Sequence, residues 1–397
     1  MPVPLILHTL GHAAAGRARD AWRDATRHPR KSRIGVDIRS FYEPLTGIGW
    51  YLYFLLHEFA KHDDVELILL GDARVTDIGP ELHADLPANA KMLVFDLRGQ
   101  PKSRFARPTT AAAYVAWMRL ANCDVVFAPN YFLPRLHAAI AKRRVITIHD
   151  LTYKRHPELL QKETLHNLEV HMAREIAAAD AIICVSESTR RDLLRYYQVD
   201  PSRAITIHSG LAPRDAYAPF DGLPSRYILF VSTIEPRKNL GVLLDAFERM
   251  RGDYDGSLVI VGKVGWKSED IVPRLRGERV VHLDYVDAPR LATVFRDAEA
   301  FVMPSIYEGF GFPLLEAMHH GVPSIAARSS SLPEIGGDAA LYFDPSDARE
   351  LESLLRRVVN DAALRAELGE RGRKRAASFS WERAADETLA VLRRAAS

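Results

Sequence analysis

The sequence has little cysteine and no long apolar run. Only Cys123 and Cys184 occur among its 397 residues, and both stand inside apolar, strand-like runs. They are most simply buried thiols in a protein of a reducing compartment. No stretch of about 18 consecutive apolar residues exists, so nothing is predicted to span a membrane. Residues 1–10 are too short and too poorly flanked for a signal peptide, and we expect a cytoplasmic protein.

The sequence also lacks an excess of charge of either sign. Its net charge is +2 with 26% charged residues, which gives no reason to expect a nucleic-acid partner. No Cys-x-x-Cys pair or Cys/His cluster offers a metal site. No Gly-x-Gly-x-x-Gly follows a predicted strand, which argues against a dinucleotide-dependent dehydrogenase. The length of the chain favours two domains.

Continuous apolar runs recur along the chain, with helical patterns between several of them. Such runs are typical of strands in a parallel sheet, which is buried on both faces. We therefore predict an α/β fold with two doubly wound, Rossmann-like domains. The predicted strands are residues 34–38, 67–70, 92–95, 125–128, 145–148, 181–185 and 204–207, followed by 227–231, 258–261, 280–283, 300–303 and 322–327.

Breaks in this rhythm divide the chain. The predicted parts are an N-terminal extension (1–33), a first domain (34–212), a linker (213–226), a second domain (227–379) and a final helix (380–397). The linker region is rich in Gly, Pro and Asp. The extension is rich in Ala and Arg, and it could be a basic arm at a membrane surface or a poorly ordered terminus.

A sharp strand-to-helix turn with two carboxylates follows the fourth predicted strand of the second domain. Gly309 and Gly311 suit a tight loop because glycine enters positive φ without a Cβ penalty, and Pro313 suits the first helical position. Glu308 lies on the loop and Glu316 in the first turn of the helix. Ligands of open α/β sheets bind at such strand ends, and a carboxylate can accept bonds from two adjacent hydroxyls. Glu316 alone could equally be a favourable acid near a helix N-terminus.

Two cations, Arg237 and Lys238, occupy the turn after the first strand of the same domain. The departure of a diphosphate requires such charges, because its catalysis is largely stabilisation of the released oxygens. Arginine offers a fork for two oxygens and lysine a compact charge. The same pair could also be an ordinary charged turn.

Two features of the first domain lie at strand ends. His149 closes a strand, where a histidine is a better functional candidate than on a helix face, and Asp150 could orient it, assist an acceptor or simply start the loop. Gly47 and Gly49 open an amphipathic helix whose N-terminus offers N–H groups to an anion. A plain strand-to-helix turn would show the same sequence pattern.

Several other polar residues are interpreted more simply. We expect Ser186 to cap a helix, and we rank His156 and His208 below His149, as structural residues. Nine cations between residues 98 and 144 face only one acid, Asp124. They could form a solvated surface, or one that meets anionic lipid or a lipid-pyrophosphate acceptor.

These motifs, in this order, resemble the retaining GT-B glycosyltransferases of family 4. The E-x7-E spacing of Glu308 and Glu316 is similar to the family signature, and residues 235–239 (Glu-Pro-Arg-Lys-Asn) are similar to its phosphate motif. The resemblance covers nearly the whole chain from Ile34 and is strongest in the second domain. Many members carry an additional arginine where Ser232 stands here, which leaves open what holds the second phosphate.

The resemblance implies roles for individual residues. Arg237 and Lys238 would neutralise the departing diphosphate, Glu308 would position the sugar hydroxyls, Glu316 would hold the ribose, and His149 would touch the transferred sugar. Further donor contacts are implied for Gly47, Gly49, Gly262, Lys263, Tyr285, Val286, Gly309, Phe310 and Gly311.

The resemblance also implies an activity and its setting. We expect transfer of a hexose, best mannose from GDP-mannose, to a glycan or polyprenyl-diphosphate-linked acceptor of a surface polysaccharide. The donor would lie on the second domain, the acceptor on the first, and the final helix would cross back to the first. Configuration would be retained by front-face attack, and no metal or other cofactor would be required. Peripheral contact with the inner face of the cytoplasmic membrane would fit the basic segment.

Two alternatives stay open. A sugar-nucleotide epimerase with the same fold would bind the donor and need no acceptor. A non-catalytic scaffold subunit would tolerate replacement of Glu308, Arg237 and Lys238.

Overall fold

A computed structural model of the chain describes residues 31–42, 47–72, 78, 85–88, 90–95, 119, 121–133, 141–211 and 216–397. Residues 1–30 of the predicted extension lie outside this part. The same holds for residues 98–118, 120 and 134–140 of the basic segment. Within the described part, the basic residues Arg143 and Arg144 pair with Asp180, an acid outside that segment.

The first sheet has the strand order β3-β2-β1-β4-β5-β6-β7. The central strand β1 pairs in parallel with β2 on one side and β4 on the other. The strands are β1 (Ser32–Asp37), β2 (Val65–Asp72), β3 (Lys91–Phe95), β4 (Val125–Ala128), β5 (Arg143–Ile148), β6 (Ala181–Cys184) and β7 (Ala204–Thr206).

The second sheet has the order β10-β9-β8-β11-β12-β13, and every neighbouring pair in it is parallel. Its strands are β8 (Tyr227–Val231), β9 (Ser257–Val261), β10 (Val280–Leu283), β11 (Ala300–Met303), β12 (Ser324–Ala327) and β13 (Ala340–Phe343). All the predicted strands are present, with ends that differ by one or two residues. Strand β13 was not predicted.

Helices connect the strands of both sheets. They are α1 (Gly47–Phe59), α2 (Thr152–Arg155), α3 (Lys162–Ala178), α4 (Glu187–Tyr196), α5 (Leu240–Arg249), α6 (Ala288–Arg296), α7 (Phe312–His319), α8 (Leu332–Gly336), α9 (Ala348–Asn360), α10 (Ala362–Ala376) and α11 (Trp381–Ala396). Among the described residues, none of these helices combines the length and apolar character that crossing a bilayer requires.

The chain divides into two compact units. The first consists of the described residues up to Thr147, together with Arg174–Ile183 and Ala384–Ser397, and the second of Ile148–Ala173 and Cys184–Arg383. Most of α11 therefore belongs to the first unit, where Arg393 donates hydrogen bonds of 2.7 and 2.9 Å to Asp64. The domain boundaries and the crossing final helix drawn from the sequence stay predictions.

Both cysteines are free and buried, as predicted. Cys184 ends β6, and Cys123 stands two residues before β4. Burial raises the pKa of Cys123 to about 12. Its thiol is therefore protonated and inert at neutral pH, as expected of a core residue.

Each sheet contains a point where the strand order reverses. In the second sheet the chain builds β8, β9 and β10 outwards and then returns to place β11 on the other side of β8. The loops that leave β8 and β11 must diverge, and the crevice between such loops is where open α/β sheets bind ligands. The residues predicted to hold diphosphate and sugar, Arg237, Lys238 and Glu308, follow these two strands.

Candidate active site

Hydrogen bonds to main-chain carbonyls connect the loops after β8 and β11. Pro236–Lys238 form a single 3-10 turn, and Asn239 then takes a left-handed conformation with φ of 55°. The Asn239 side-chain amide donates to Pro304 O (3.0 Å) and Pro345 O (2.8 Å), and Ile306 N donates to Arg237 O (2.9 Å). Each predicted cation is thereby held beside the carboxylate loop.

Glu308 lies at the centre of a buried charge cluster. Lys238 Nζ donates to its Oε1 at 2.6 Å, and Arg237 Nη1 donates to its Oε2 at 3.0 Å. Arg237 Nε also donates to Glu235 Oε1 at 3.0 Å. Glu308 is only 6% exposed and Lys238 9%, so this is not an ordinary solvated turn. Each cation thus faces a carboxylate, although burial lowers the pKa of Lys238.

The cluster shifts the ionisation of its members. Burial alone would raise the pKa of Glu308, but the charges of Lys238 and Arg237 outweigh it and hold the pKa below its ordinary range. Burial would lower the pKa of Arg237, but the carboxylates of Glu308, Asp150 and Glu235 raise it instead. Glu308 is therefore an ionised acceptor at neutral pH.

The two glycines of the loop are required for different reasons. Gly311 has φ of +112° and stands before the first residue of α7, as the sequence predicts. Gly309 does not have positive φ, so that part of the prediction is wrong. A Cβ on Gly309 would lie 1.7 Å from His149 O, and the glycine is needed because the two main chains touch.

Helix α7 starts one residue earlier than predicted. Phe312 is its first residue, so Pro313 is the second and Glu316 the fifth, just beyond the first turn. The expectation that Glu316 lies in the first turn is therefore wrong. Its side chain is half-buried.

His149 reaches the cluster through its main chain. Besides its contact with Gly309, the His149 carbonyl accepts a hydrogen bond from Thr189 Oγ1 at 3.3 Å, and the same hydroxyl lies 3.4 Å from Gly309 O. Asp150 starts a turn, because its Oδ1 accepts the Thr152 N–H at 3.0 Å. The structure thus brings the predicted residues His149, Gly309 and Glu308 together.

The predicted nucleotide residues Gly262 and Lys263 lie beside the turn after β8. Gly262 has φ of +145°, and a Cβ there would lie 1.9 Å from Ser232 O. Lys263 O accepts the Ile234 N–H at 2.9 Å, while the Lys263 side chain is exposed.

Tyr285 and Val286 follow β10, which lies next to β9 at one edge of the sheet. Tyr285 is 77% exposed and Val286 is half-exposed. Both residues therefore follow a strand end and lie at the surface. Their role in nucleotide binding stays a prediction.

Phe310 offers only its main chain to a ligand. Its ring is buried against Phe312 and Phe379, with ring centroids 4.9 and 5.9 Å apart. Gly47 and Gly49, the first and third residues of α1, belong to the other compact unit. Gly47 is exposed and Gly49 buried.

Three serines that were not predicted as site residues support the Glu308 loop; residues 330–335 were interpreted from the sequence as features of the fold. Ser329 Oγ donates to Ser305 O (2.7 Å), and the single proton of Ser331 Oγ is shared between the carbonyls of Phe310 (2.8 Å) and Glu308 (3.0 Å). Between them, Ser330 Oγ accepts the Glu308 N–H at 2.7 Å. The signal available in the sequence was a run of hydroxyls directly after β12, the neighbour of β11.

Glu334, which also was not predicted as a site residue, lies at the N-terminus of α4. Its carboxylate accepts the N–H groups of Glu187 (2.7 Å) and Ser188 (3.0 Å), and His208 Nε2 lies 2.6 Å from Oε1. Burial would raise the pKa of Glu334, but these hydrogen bonds outweigh it and lower the pKa. Ser186 caps the same helix through Thr189 N at 3.0 Å, as predicted.

Known proteins similar to this chain identify its family. The models of Glycosyltransferase Family 4 and of Glycosyl transferases group 1 match residues 45–214 and 221–375. The O-antigen chain mannosyltransferase B of Escherichia coli is 32% identical over 372 residues, which is 87% of this chain and 95% of that relative. The chain belongs to glycosyltransferase family 4.

Other similarities of this glycosyltransferase agree. The MMP alpha-(1->4)-mannosyltransferase of Mycolicibacterium hassiacum is 29% identical over 66% of this chain and 64% of that relative. The structure of sucrose-phosphate synthase from Thermosynechococcus elongatus matches with a TM-score of 0.70 and 22% identity, over 92% of this chain and 99% of that one. The predicted GT-B fold class and glycosyltransferase activity are thereby confirmed.

The described part of the glycosyltransferase contains no group of three or more His, Cys, Asp or Glu residues placed to hold a metal ion. Independence from metal remains a prediction, as do the roles of the individual site residues.

Proposed function

We propose that this glycosyltransferase moves mannose from GDP-mannose to a hydroxyl of a glycan or polyprenyl-diphosphate-linked acceptor in surface polysaccharide synthesis. The observation that carries the site assignment is the buried Glu308–Lys238–Arg237 cluster at the reversal point of the second sheet. The choice of mannose rests on the mannosyltransferases that the chain resembles.

The cations of the cluster would hold the diphosphate. Both cations pair with carboxylates. A lysine has three donors and an arginine five, so each can keep one carboxylate contact and still bind phosphate oxygens. Charge that develops on the leaving phosphate would be stabilised inside a buried site, where it counts more than in water.

Glu308 would take the sugar. Its lowered pKa keeps it an acceptor for ring hydroxyls. The bond between the anomeric carbon and the phosphate oxygen breaks while the acceptor oxygen bonds to the same face of that carbon. The acceptor proton passes to the departing phosphate, and GDP leaves. His149 would reach the sugar from the turn that touches Gly309.

The setting of the reaction is also a proposal. We place the enzyme in the cytoplasm, in peripheral contact with the inner face of the membrane through the basic segment. The acceptor would meet the first domain and the nucleotide the second, with Glu316 on the ribose and Gly262, Lys263, Tyr285 and Val286 near the nucleotide.

Thermal unfolding with a panel of nucleotides and nucleotide sugars tests the donor. A ligand that binds only the native state raises the melting temperature by mass action. We expect GDP and GDP-mannose to stabilise the enzyme selectively. Selective stabilisation by UDP or ADP compounds would keep the transferase and replace the donor. No response to any nucleotide would contradict the site assignment.

A further inference from the structure

Ser330 stands in a conformation that serine rarely adopts. Its φ is +45°, in the left-handed region, where a side chain other than that of glycine, asparagine or aspartate is disfavoured. It follows β12, which pairs in parallel with β11, so it lies beside the loop that carries Glu308. Strained residues of this kind concentrate at functional sites, where the surrounding structure holds them in place.

Glycine would adopt this φ more readily, but it would lack the hydroxyl of Ser330. It accepts the main-chain N–H of Glu308 at 2.7 Å. The neighbouring Ser331 holds the carbonyl of the same residue at 3.0 Å. Both main-chain polar groups of Glu308 are thus bound by consecutive serines, while its carboxylate is bound by Lys238 and Arg237.

We propose that Ser330 is a positioning residue of the transfer reaction, which sets the direction of the Glu308 side chain by holding its N–H. The proposal rests on the proposed contact of Glu308 with the sugar. Without the hydroxyl, the peptide before Glu308 can rotate, and the carboxylate moves relative to the reacting sugar. Arg237 and Lys238 keep the diphosphate, so the loss falls on kcat rather than on donor binding.

Two substitutions separate positioning from stability. Ser330→Gly relaxes the backbone but leaves the Glu308 N–H without its acceptor, and these two effects on stability are opposite and of similar size. We therefore expect a nearly unchanged Tm with a fall in kcat of about tenfold and little change in donor KM. Ser330→Thr keeps the hydroxyl but places a β-branched residue at positive φ, so we expect a lower Tm with kcat nearer that of the wild type. A merely structural serine would show activity that follows stability.

The rates are measured with whichever nucleotide sugar stabilises the wild-type enzyme most in thermal unfolding. The matched control is Asn122→Gly, at an exposed residue of the first compact unit whose φ is +44°. It introduces glycine at the same backbone conformation, in a segment that carries none of the proposed site residues, and should leave kcat unchanged.

Glu308→Gln, measured in parallel, distinguishes the possible failures. If Glu308→Gln loses transfer while Ser330→Gly turns over like the wild type, the role of Ser330 is overturned and that of Glu308 stands. If Glu308→Gln transfers normally, both are overturned. Losses of kcat that follow Tm through all the Ser330 variants would also overturn the proposal.

Discussion

At the scale of single residues, the candidate site consists of paired opposite charges. Arg237 and Lys238 are held by Glu235 and Glu308 in a region that water scarcely reaches. Breaking one member of such a cluster leaves an uncompensated buried charge, which costs more than an exposed ion pair ever contributes. Substitutions here should therefore affect both stability and function.

Lys238→Ala should weaken nucleotide binding and abolish transfer. A hydrogen bond to a charged group contributes about 1.5–3 kcal/mol, which corresponds to roughly 10- to 100-fold weaker binding. Calorimetric titration with GDP and a transfer assay measure the two effects. The control is Lys374→Ala, whose exposed side chain pairs with Glu370. Normal transfer by Lys238→Ala would remove Lys238 from the phosphate site.

Glu308→Gln should lower transfer by about 100-fold or more while nucleotide binding stays as tight as in the wild type or becomes tighter. The neutral amide keeps the shape of the side chain but no longer competes with phosphate for the two cations. Steady-state kinetics with parallel GDP titrations check this. A collapse of GDP binding would assign Glu308 to the nucleotide or to the fold.

The residue types at this site could be predicted from the sequence, but their partners could not. The two glycines after Glu308 predict a tight loop. Gly309 is required, however, because a Cβ there would collide with the carbonyl of His149, which lies 160 positions earlier in the chain. Likewise, the run of hydroxyls after β12 does not reveal the partner of Ser330, which is the N–H of a residue on the neighbouring strand's loop. Contacts between distant segments carry no local signature.

At the scale of elements, the N-terminus of α4 is organised by a residue from another helix. Ser186 caps it locally, and Glu334 of α8 supplies a carboxylate to two further N–H groups. A negative charge at this end also suits the helix dipole. Because Thr189 of α4 contacts the His149 carbonyl, this helix end supports the candidate site.

Glu334→Gln should destabilise the protein by about 1–2 kcal/mol at neutral pH. The pKa of Glu334 is lowered in the folded state, so its contribution is present above the ordinary value of about 4.5 and is lost as pH falls through the folded pKa. The difference between variant and wild type should therefore shrink towards acid. Urea unfolding at a series of pH values measures it. A difference that does not change with pH would contradict an ionised Glu334.

Strands were more predictable than helix starts. A parallel strand buried on both faces reads as a continuous apolar run, whereas the start of α7 depends on where Gly311 leaves the left-handed region. Strand β13 was missed although β10, an edge strand of the same length and greater exposure, was predicted, so length and exposure do not explain the difference.

At the scale of the whole molecule, both sheets repeat one plan, in which the strand order reverses beside the first strand. The sequence predicts that plan because the rhythm of strands and helices is local. The compact units are less predictable, since segments from separate parts of the chain, including most of α11, join the first unit.

Transfer should continue when divalent metal is removed. In the proposed mechanism, Arg237 and Lys238, together with the N–H groups at the start of α5 and α7, would supply the positive charge that a metal would otherwise bring to a diphosphate. Rates after treatment with EDTA and after addition of Mg²⁺ or Mn²⁺ test this. A loss of transfer on chelation that metal restores would contradict it.

The balance of charge around Glu308 also bears on how a donor arrives. Since each cation already faces a carboxylate and the charge of Asp150 also acts on Arg237, the cluster projects no excess of positive charge into solvent. Electrostatic steering speeds an encounter only when such a field extends beyond the Debye length, about 10 Å at 0.1 M salt. The association rate of a nucleotide sugar, followed by stopped flow, should therefore change little with ionic strength, and the charges act only after the ligand has entered.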